Sequence, residues 1–191
     1  MKSLLTLFLC FSAAVALAAE KSEYEVEHPK SDLPPGGEYV AGATNSVVQY
    51  YWTNNAGKMK PNGIYASTDG GTTWKLRCWI FQFRKVFVHP ETGVLYAIID
   101  YSWLEKDKDG FLTRCSANKM LMSKDARHWK DITPRPGYVA DMLDIFQDPE
   151  HGQRVCIQAC GIRPYVLQPA DDDYSTWETR GWDWDAKWRK K

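Results

Sequence analysis

The stretch Ile64–Leu76 reads IYASTDGGTTWKL. An apolar run enters an Asp-Gly-Gly turn, where glycine supplies the positive φ angles that tight turns require. The Asp69 carboxylate is placed to accept hydrogen bonds from the amides of that turn. Trp74 follows at once and offers a large ring to pack against a sheet. The stretch therefore predicts a β-hairpin whose turn is held together by its own side chains.

Two later stretches repeat this order of residues. Residues 119–132 read KMLMSKDARHWKDI, one residue shorter in the turn and without the glycine, and residues 165–180 read YVLQPADDDYSTWETR. The positions that define the repeated box are Ser67, Asp69, Gly71, Thr73 and Trp74 in the first stretch, Ser123, Asp125 and Trp129 in the second, and Trp177 in the third.

A second pattern precedes the last two boxes. VFVHPETGVLYAIID (86–100) and DIFQDPEHGQRVCIQA (144–159) each contain an apolar run, a proline turn, a glycine and another apolar run. Proline ends the first run as a strand because it cannot donate to a β-ladder. The sequence predicts an all-β chain of three units with four short strands each, over residues 37–79, 81–133 and 139–181.

The box resembles the Asp-box, or BNR repeat, of sialidase-like β-propellers, and the resemblance covers the chain from residue 37 to residue 191. It implies propeller-type blades, and a function among the glycosidases, receptors, assembly factors and binding modules that share this fold. Each residue of the first box has a structural task. One carboxylate and two hydroxyls fall short of the six to eight oxygens that calcium prefers, so no metal is expected.

Three blades do not close a propeller, which has about four to eight. The sequence leaves alternatives open: two chains associate into a six-bladed ring, the chain is a fragment, or it is an open arc capped by its tail. The tail GWDWDAKWRKK alternates aromatic and charged residues, which predicts a strand with one aromatic face. That strand either caps the arc or completes the third blade.

The beginning of the chain predicts export. Residues 1–19 combine Lys2, an apolar run and a small-residue cleavage site, as signal peptides do. Residues 20–36 are charged and contain proline without periodicity, which favours a flexible leader. The remaining chain is expected to be secreted or periplasmic, without a membrane span. The full sequence has 24 basic and 24 acidic residues, and loss of Lys2 with the signal peptide changes the net charge only to −1, so the chain has no broad electrostatic attraction for nucleic acid.

Four cysteines follow the predicted signal peptide. Cys156 and Cys160 flank three residues of a predicted strand, a separation of about 13 Å that exceeds the reach of a disulfide. A bridge between Cys78 and Cys115 and free buried thiols remain alternatives. A zinc site is not expected, because no Cys-x-x-Cys motif occurs.

Aromatic and charged residues at the ends of the second strands form the candidate binding site. They are Tyr51, Trp52, Arg84, Asp100, Tyr101, Trp103 and Arg163. Such side chains stack on a sugar ring and hold a carboxylate, and the alternative is that the rings pack between adjacent blades. Asp100 and Asp144 are candidate acids by position alone.

No catalytic motif or cofactor-binding motif occurs in the chain. The Arg-Ile-Pro motif that sialidase-like proteins carry before the first box is absent there, and Ile162-Arg163-Pro164 lies far downstream. The sequence therefore favours a non-catalytic module that binds a glycan or a partner protein, with self-association as a further expectation. The alternative is a reduced sialidase-like glycoside hydrolase.

Overall fold

The computed structural model describes residues 26–43, 46–54, 62–79, 81–134, 141–160 and 164–180. Within them the chain is all-β and forms three antiparallel sheets, apart from one short 3-10 helix, Lys30–Asp32. The predicted signal peptide, residues 20–25 of the predicted leader and the tail 181–191 lie outside the described residues. No described helix has the length and apolar character needed to cross a bilayer.

Each sheet is built from consecutive strands. The first has the order β1-β5-β4-β3-β2, with β1 Glu27–Pro29, β2 Glu38–Ala41, β3 Gln49–Thr53, β4 Gly63–Ser67 and β5 Thr73–Cys78. The second runs β6 Gln82–Val88, β7 Leu95–Lys106, β8 Leu112–Ser123 and β9 Lys130–Asp131. The third runs β10 Asp141–Gln147, β11 Val155–Cys160, β12 Pro164–Pro169 and β13 Trp177–Arg180.

The first sheet has five strands where four were predicted, because the predicted flexible leader supplies one. Glu27–Pro29 pairs antiparallel with β5, with His28 opposite Trp74. Leu33 then packs on the outer face of the sheet, and the Tyr51 hydroxyl donates to the Pro34 carbonyl. Residues 26–36 of the predicted leader thus contain a strand and a 3-10 helix. The polar composition of the leader hid one short strand and one apolar contact.

Two apolar layers join the three sheets face to face. The layer between the first and second sheets contains Tyr50, Trp52, Ile64, Phe83, Val86, Leu95 and Ile99. The layer between the second and third contains Tyr96, Ile98, Met120, Ile145, Ile157 and Leu167. Alternation along each strand sends successive side chains to opposite faces. Therefore the second sheet, whose strands are apolar on both faces, lies in the middle.

A buried histidine ties the second sheet to the third. The His89 Nδ1 atom accepts hydrogen bonds from the Glu91 and Thr92 amides, at 3.2 and 3.3 Å. This leaves Nε2 to carry the proton and to donate to the Gly152 carbonyl at 2.6 Å. The two proline turns that the sequence pairs by similarity are thus in direct contact.

The edge strands β2, β6 and β10 of the three sheets also lie side by side, β2 against β6 and β6 against β10. β6 has a bulge between Phe83 and Lys85, and the matching bulge in β10 leaves Leu143 as its extra residue. A bulge re-aims the side chain of the unpaired residue. In β6 that residue is Arg84, whose side chain points toward the start of β10.

The segment between Trp103 and Met120 is a hairpin. β7 and β8 pair from Leu95 opposite Ser123 to Lys106 opposite Leu112, beyond the ends of β6 and β9. We call residues 101–118 the arm. The Asp-Lys-Asp-Gly sequence forms its turn, where the Asp107 carboxylate accepts from the amides of Asp109 and Phe111, at 3.0 and 2.8 Å.

No disulfide joins the four cysteines in the described part of the chain. Cys156 and Cys160 both lie in β11, so the predicted strand keeps them apart. Cys78 lies in the core, and Cys115 lies on the arm.

Candidate functional site

The first box is a closed network centred on Asp69. Its carboxylate accepts from the amides of Thr72 and Thr73, at 3.1 and 2.9 Å, and from the hydroxyls of Ser67 and Thr73, both at 2.7 Å. The bonds from Thr73 are the main cause that lowers the pKa of Asp69 to about 2. Because these bonds stay within the hairpin, the carboxylate acts on its own turn.

The second box makes the same network with different residues. Asp125 accepts from the amides of Arg127 and His128, both at 2.8 Å, and from the Ser123 hydroxyl at 3.1 Å. The His128 Nδ1 atom lies 2.6 Å from the other carboxylate oxygen, where the first box has a threonine hydroxyl. Burial raises the pKa of Asp125, but these bonds outweigh it and hold the pKa below its usual range.

The third box centres on Asp171. Its carboxylate accepts from the Ser175 amide at 2.9 Å and from the hydroxyls of Ser175 and Thr176, at 2.5 and 2.8 Å. The Ser175 hydroxyl is the main cause of a lowered pKa. Trp74 and Trp129 each donate an indole N–H to the carbonyl three residues earlier, at 3.0 and 3.1 Å, whereas Trp177 donates to Ile132 next to the second sheet, at 3.1 Å.

A polar pocket lies at the root of the arm, between the second and third sheets. Its volume is about 430 Å³, and it is lined by Gln82, Arg84, Asp100, Tyr101, Ser102, Arg114, Ser116, Ala117, Asn118 and Asp141. The bulge in β6 directs Arg84 into it. Asp100 and Asn118 are directly opposite each other on β7 and β8.

Arg84 joins the second and third sheets inside this pocket. Its Nη1 atom donates to Asn118 Oδ1 at 3.0 Å and to Asp141 Oδ1 at 3.3 Å, and it lies 3.9 Å from Asp100 Oδ1. Asn118 donates to Asp100 at 2.9 Å, and its own Oδ1 accepts from the Met142 amide at 2.9 Å. The group is a charged network with donors and acceptors side by side.

A second arginine lies further out along the arm. Arg114 Nη2 donates to the Ser102 hydroxyl at 3.2 Å. An arginine has five N–H donors. The hydrogen bonds that Arg84 and Arg114 make to other described residues use one nitrogen of each, Nη1 of Arg84 and Nη2 of Arg114. The pocket therefore offers cationic donors next to carboxylate acceptors.

The predicted aromatic residues lie on the opposite face of the arm. Tyr101 borders the pocket, but its ring stacks on Trp103 with the ring centroids 5.5 Å apart and the planes 26° from parallel. Lys119 Nζ lies 4.3 Å from the centroid of the Tyr101 ring. The structure thus brings Arg84 and Asp100 to the root of the arm and places Tyr101 and Trp103 on the arm itself, with the two rings stacked on each other.

The other predicted site residues lie elsewhere. Tyr51 and Trp52 are 4% and 8% exposed and belong to two different apolar layers, so neither contributes to an exposed site. Trp52 packs between the first and second sheets, whereas Tyr51 packs on the outer face of the first sheet. Arg163 lies outside the described residues. Asp144 pairs with Lys85 at 3.3 Å and does not line the pocket.

Sequence reasoning missed Asn118, Asp141 and Arg114. Asn118 and Arg114 belong to the arm, and only the register of its two 12-residue strands reveals that Asn118 lies opposite Asp100. For Asp141 the sequence did contain a signal, because Asp141 begins its strand at the place where Gln82 begins a similar strand. The pairing of its side chain with Arg84 depends on a bulge that the sequence does not mark.

The described residues contain no group of three or more His, Cys, Asp or Glu side chains arranged to hold a metal ion. None of the protein families, curated proteins or solved structures with which the chain was compared matches it.

Proposed function

We propose that this chain is an exported, non-catalytic module of three propeller-type blades, and that it binds a glycan in the pocket at the root of the arm. The proposal of blades is supported by the face-to-face sheets, by the contacts among their edge strands β2, β6 and β10, and by a carboxylate-centred box in each sheet. The self-contained hydrogen bonds of the boxes give them a structural role and leave ligand binding to another surface.

The lining of the pocket carries the proposal of a glycan. Apart from Ala117, every described residue of the lining has a charged, amide or hydroxyl side chain. A sugar hydroxyl both donates and accepts, so neighbouring hydroxyls fit a surface on which guanidinium donors adjoin carboxylate acceptors. An apolar ligand would instead leave these groups desolvated and unpaired.

The arrangement of the carboxylates favours binding over hydrolysis. A two-carboxylate glycosidase places the scissile bond between its acid and its base or nucleophile. Here Arg84 Nη1 lies between Asp100 and Asp141, within 4 Å of an oxygen of each, in the space where that bond would lie. Among the described residues, the lining contains two arginines and no glutamate, so these residues provide neither the tyrosine–glutamate pair nor the arginine trio of a sialidase-like site.

A glycan array followed by titration calorimetry tests the proposal with a pair of matched variants. Asp141 and Asp144 lie on the same strand, and each forms an ion pair at 3.3 Å, with Arg84 and Lys85 respectively. Asp141→Ala removes an acceptor from the pocket and is expected to weaken glycan binding about tenfold or more. Asp144→Ala removes the pair outside the pocket and is expected to leave binding unchanged.

Absence of binding to any neutral or acidic glycan on the array would overturn the proposal, as would equal losses for the two variants. Release of sugar from a bound glycan, abolished by Asp100→Asn, would favour the glycosidase alternative.

A further inference from the structure

The arm has an open edge along β8. The Met120 amide donates to Thr133 Oγ1 at 3.0 Å, and its carbonyl accepts from the Ile132 amide at 2.9 Å, so both groups of Met120 point away from β7. Backbone groups alternate in direction along a strand. The amides and carbonyls of Leu112, Arg114, Ser116 and Asn118 therefore point to the same side as those of Met120.

The hydrogen bonds at the tip of the arm agree on which β8 residues direct their backbone groups away from β7. The Asp107 amide donates to the Phe111 carbonyl at 2.9 Å, which places the odd-numbered residues of β8 in the bonds to β7. On the other side of β8, the short strand β9 pairs only with Leu121 and Met122. Along residues 112–119, no strand of the described chain covers this edge, and such an edge is a template for another strand.

The arm also exposes apolar side chains on both faces. Phe111 is 72% exposed, Leu104 and Leu112 are each 65% exposed, and Tyr101 and Trp103 are exposed as well. The charges along the arm balance, because Lys106, Lys108 and Arg114 offset Glu105, Asp107 and Asp109. A neutral arm favours neither a strongly acidic nor a strongly basic partner, and its charges do not repel a second copy of the same arm.

We propose that two copies of this chain associate through this edge, with β8 of one copy antiparallel to β8 of the other. Each arm then supplies the strand that the other lacks. The pairing joins the second sheets of two chains into one continuous sheet.

The length of the open edge sets the register of this pairing. A two-fold axis at Cys115 places Leu112 opposite Asn118 of the second copy and Phe111 opposite Lys119 of the second copy, which uses the whole edge. Moving the axis to Ser116 would place Leu112 opposite Met120, whose backbone groups are already bonded to Ile132 and Thr133. No two like charges face each other in the register centred on Cys115, and the exposed Phe111 ring gains a neighbour.

The proposed pairing differs from the ring of two chains that incomplete blades suggest. In such a ring, the outer face of the first sheet would receive a sheet of the neighbouring chain. Leu33 packs on that face, against Tyr51, Tyr65, Trp74 and Leu76. The arm, in contrast, leaves both its edge and its aromatic face open.

Sedimentation of the full chain over a range of concentrations, with two proline variants, tests the proposal. Ser116→Pro removes an amide from the open β8 edge, and the dimer dissociation constant is expected to rise about tenfold or more. Ser102→Pro is the matched control: Ser102 lies opposite Ser116, so its amide points to the other side of the same arm, beyond the end of β6. That variant is expected to dimerise like the unchanged chain.

A cross-link tests the register without a folding risk. Cys115 bonds toward β7, so across the axis it would form a non-hydrogen-bonded pair with Cα atoms about 4.5 Å apart, which is within disulfide range. Oxidised glutathione, as the oxidant, is expected to join two Cys115 thiols into a disulfide and to be reduced to two glutathione molecules. Cys115→Ser is expected to abolish the cross-link and to keep the dimer.

A chain that stays monomeric at all concentrations would overturn the proposal, as would equal dimerisation of both proline variants when circular dichroism shows that both are folded. A dimer that oxidised glutathione does not cross-link would overturn the register. Neither readout involves a sugar, so the outcome is independent of the test of glycan binding.

Discussion

The first and second boxes form the same hairpin from different residues. Gly71, Ala126 and Tyr174 each lie three residues before the tryptophan of their box, and their φ angles are +89°, +61° and +58°. The first box uses glycine, for which this conformation carries no steric penalty, whereas the others place a side chain there. The three turns thus share a backbone geometry that their residue types do not reveal.

In the third box, the residue three positions before the tryptophan is Tyr174, and the role of the tryptophan differs with it. The Tyr174 ring enters the layer between the second and third sheets, where its hydroxyl lies 3.0 Å from the Tyr96 hydroxyl and accepts from the Val155 amide at 3.2 Å. Trp177 then bonds to Ile132 next to the second sheet, not within its own turn. The first box closes on itself, whereas the third box joins two sheets.

The largest expected effect concerns the tryptophans of the first two boxes. Trp74 is 1% exposed and packs in the outer layer of the first sheet, whereas Trp129 is partly buried at the margin of its layer. Trp74→Ala is therefore expected to lower the free energy of unfolding by about 3–5 kcal/mol, and Trp129→Ala by about 1–3 kcal/mol. Urea unfolding followed by far-ultraviolet circular dichroism measures both.

Equal losses for the two variants would contradict this comparison, because they would make the two tryptophans equally important to the core. The m-value of each variant provides the control, since a changed m-value would show that the unfolding transition itself had changed.

A smaller effect is expected at the position with positive φ. Gly71→Ala forces a side chain into this conformation and places its Cβ 2.8 Å from Gln49 Oε1, so a loss of about 1–2 kcal/mol is expected. Ala126→Gly relieves the same strain, but it also removes a fully buried methyl group and raises the conformational entropy of the unfolded chain. The last two effects both destabilise the folded state. The three effects nearly cancel, and a loss below about 1 kcal/mol is expected in thermal and urea unfolding. A larger loss for Ala126→Gly than for Gly71→Ala would contradict the equivalence of the two turns.

The sequence predicted the sheets better than the site, for physical reasons. Strands within a unit pair with their neighbours along the chain, so apolar runs and proline turns were enough to locate them. The strand at Glu27–Pro29 was missed because it is short and polar and gains its stability from β5. The arm was missed because residues 101–118 have no buried face, and alternation is informative only where one face is buried.

The pocket depends on distant register and on a bulge. Asp100 and Arg84 were named from their positions, but Asn118 and Asp141 reach them only through the register of β7 with β8 and the redirection of Arg84. Aromatic residues beside charged ones in the sequence suggested one mixed surface. The same alternation that builds a strand places Asp100 and Tyr101 on opposite faces of it.

The smallest expected effect is the acid sensitivity of the first box. The folded pKa of Asp69 is about 2, below the value of about 4 for an unfolded chain. A lowered folded pKa contributes stability that is present above pH 4 or so and is lost as the pH falls toward about 2. Asp69→Asn removes this contribution, so the gap in melting temperature between the variant and the unchanged chain is expected to narrow from about pH 5 to pH 2. Asp125 and Asp171 are present in both the variant and the unchanged chain, so their own pH dependence cancels in the difference between the two melting temperatures. Melting curves at several pH values measure the gap, and a gap that stays constant would mean that Asp69 acts through the shape of its turn and not through its charge.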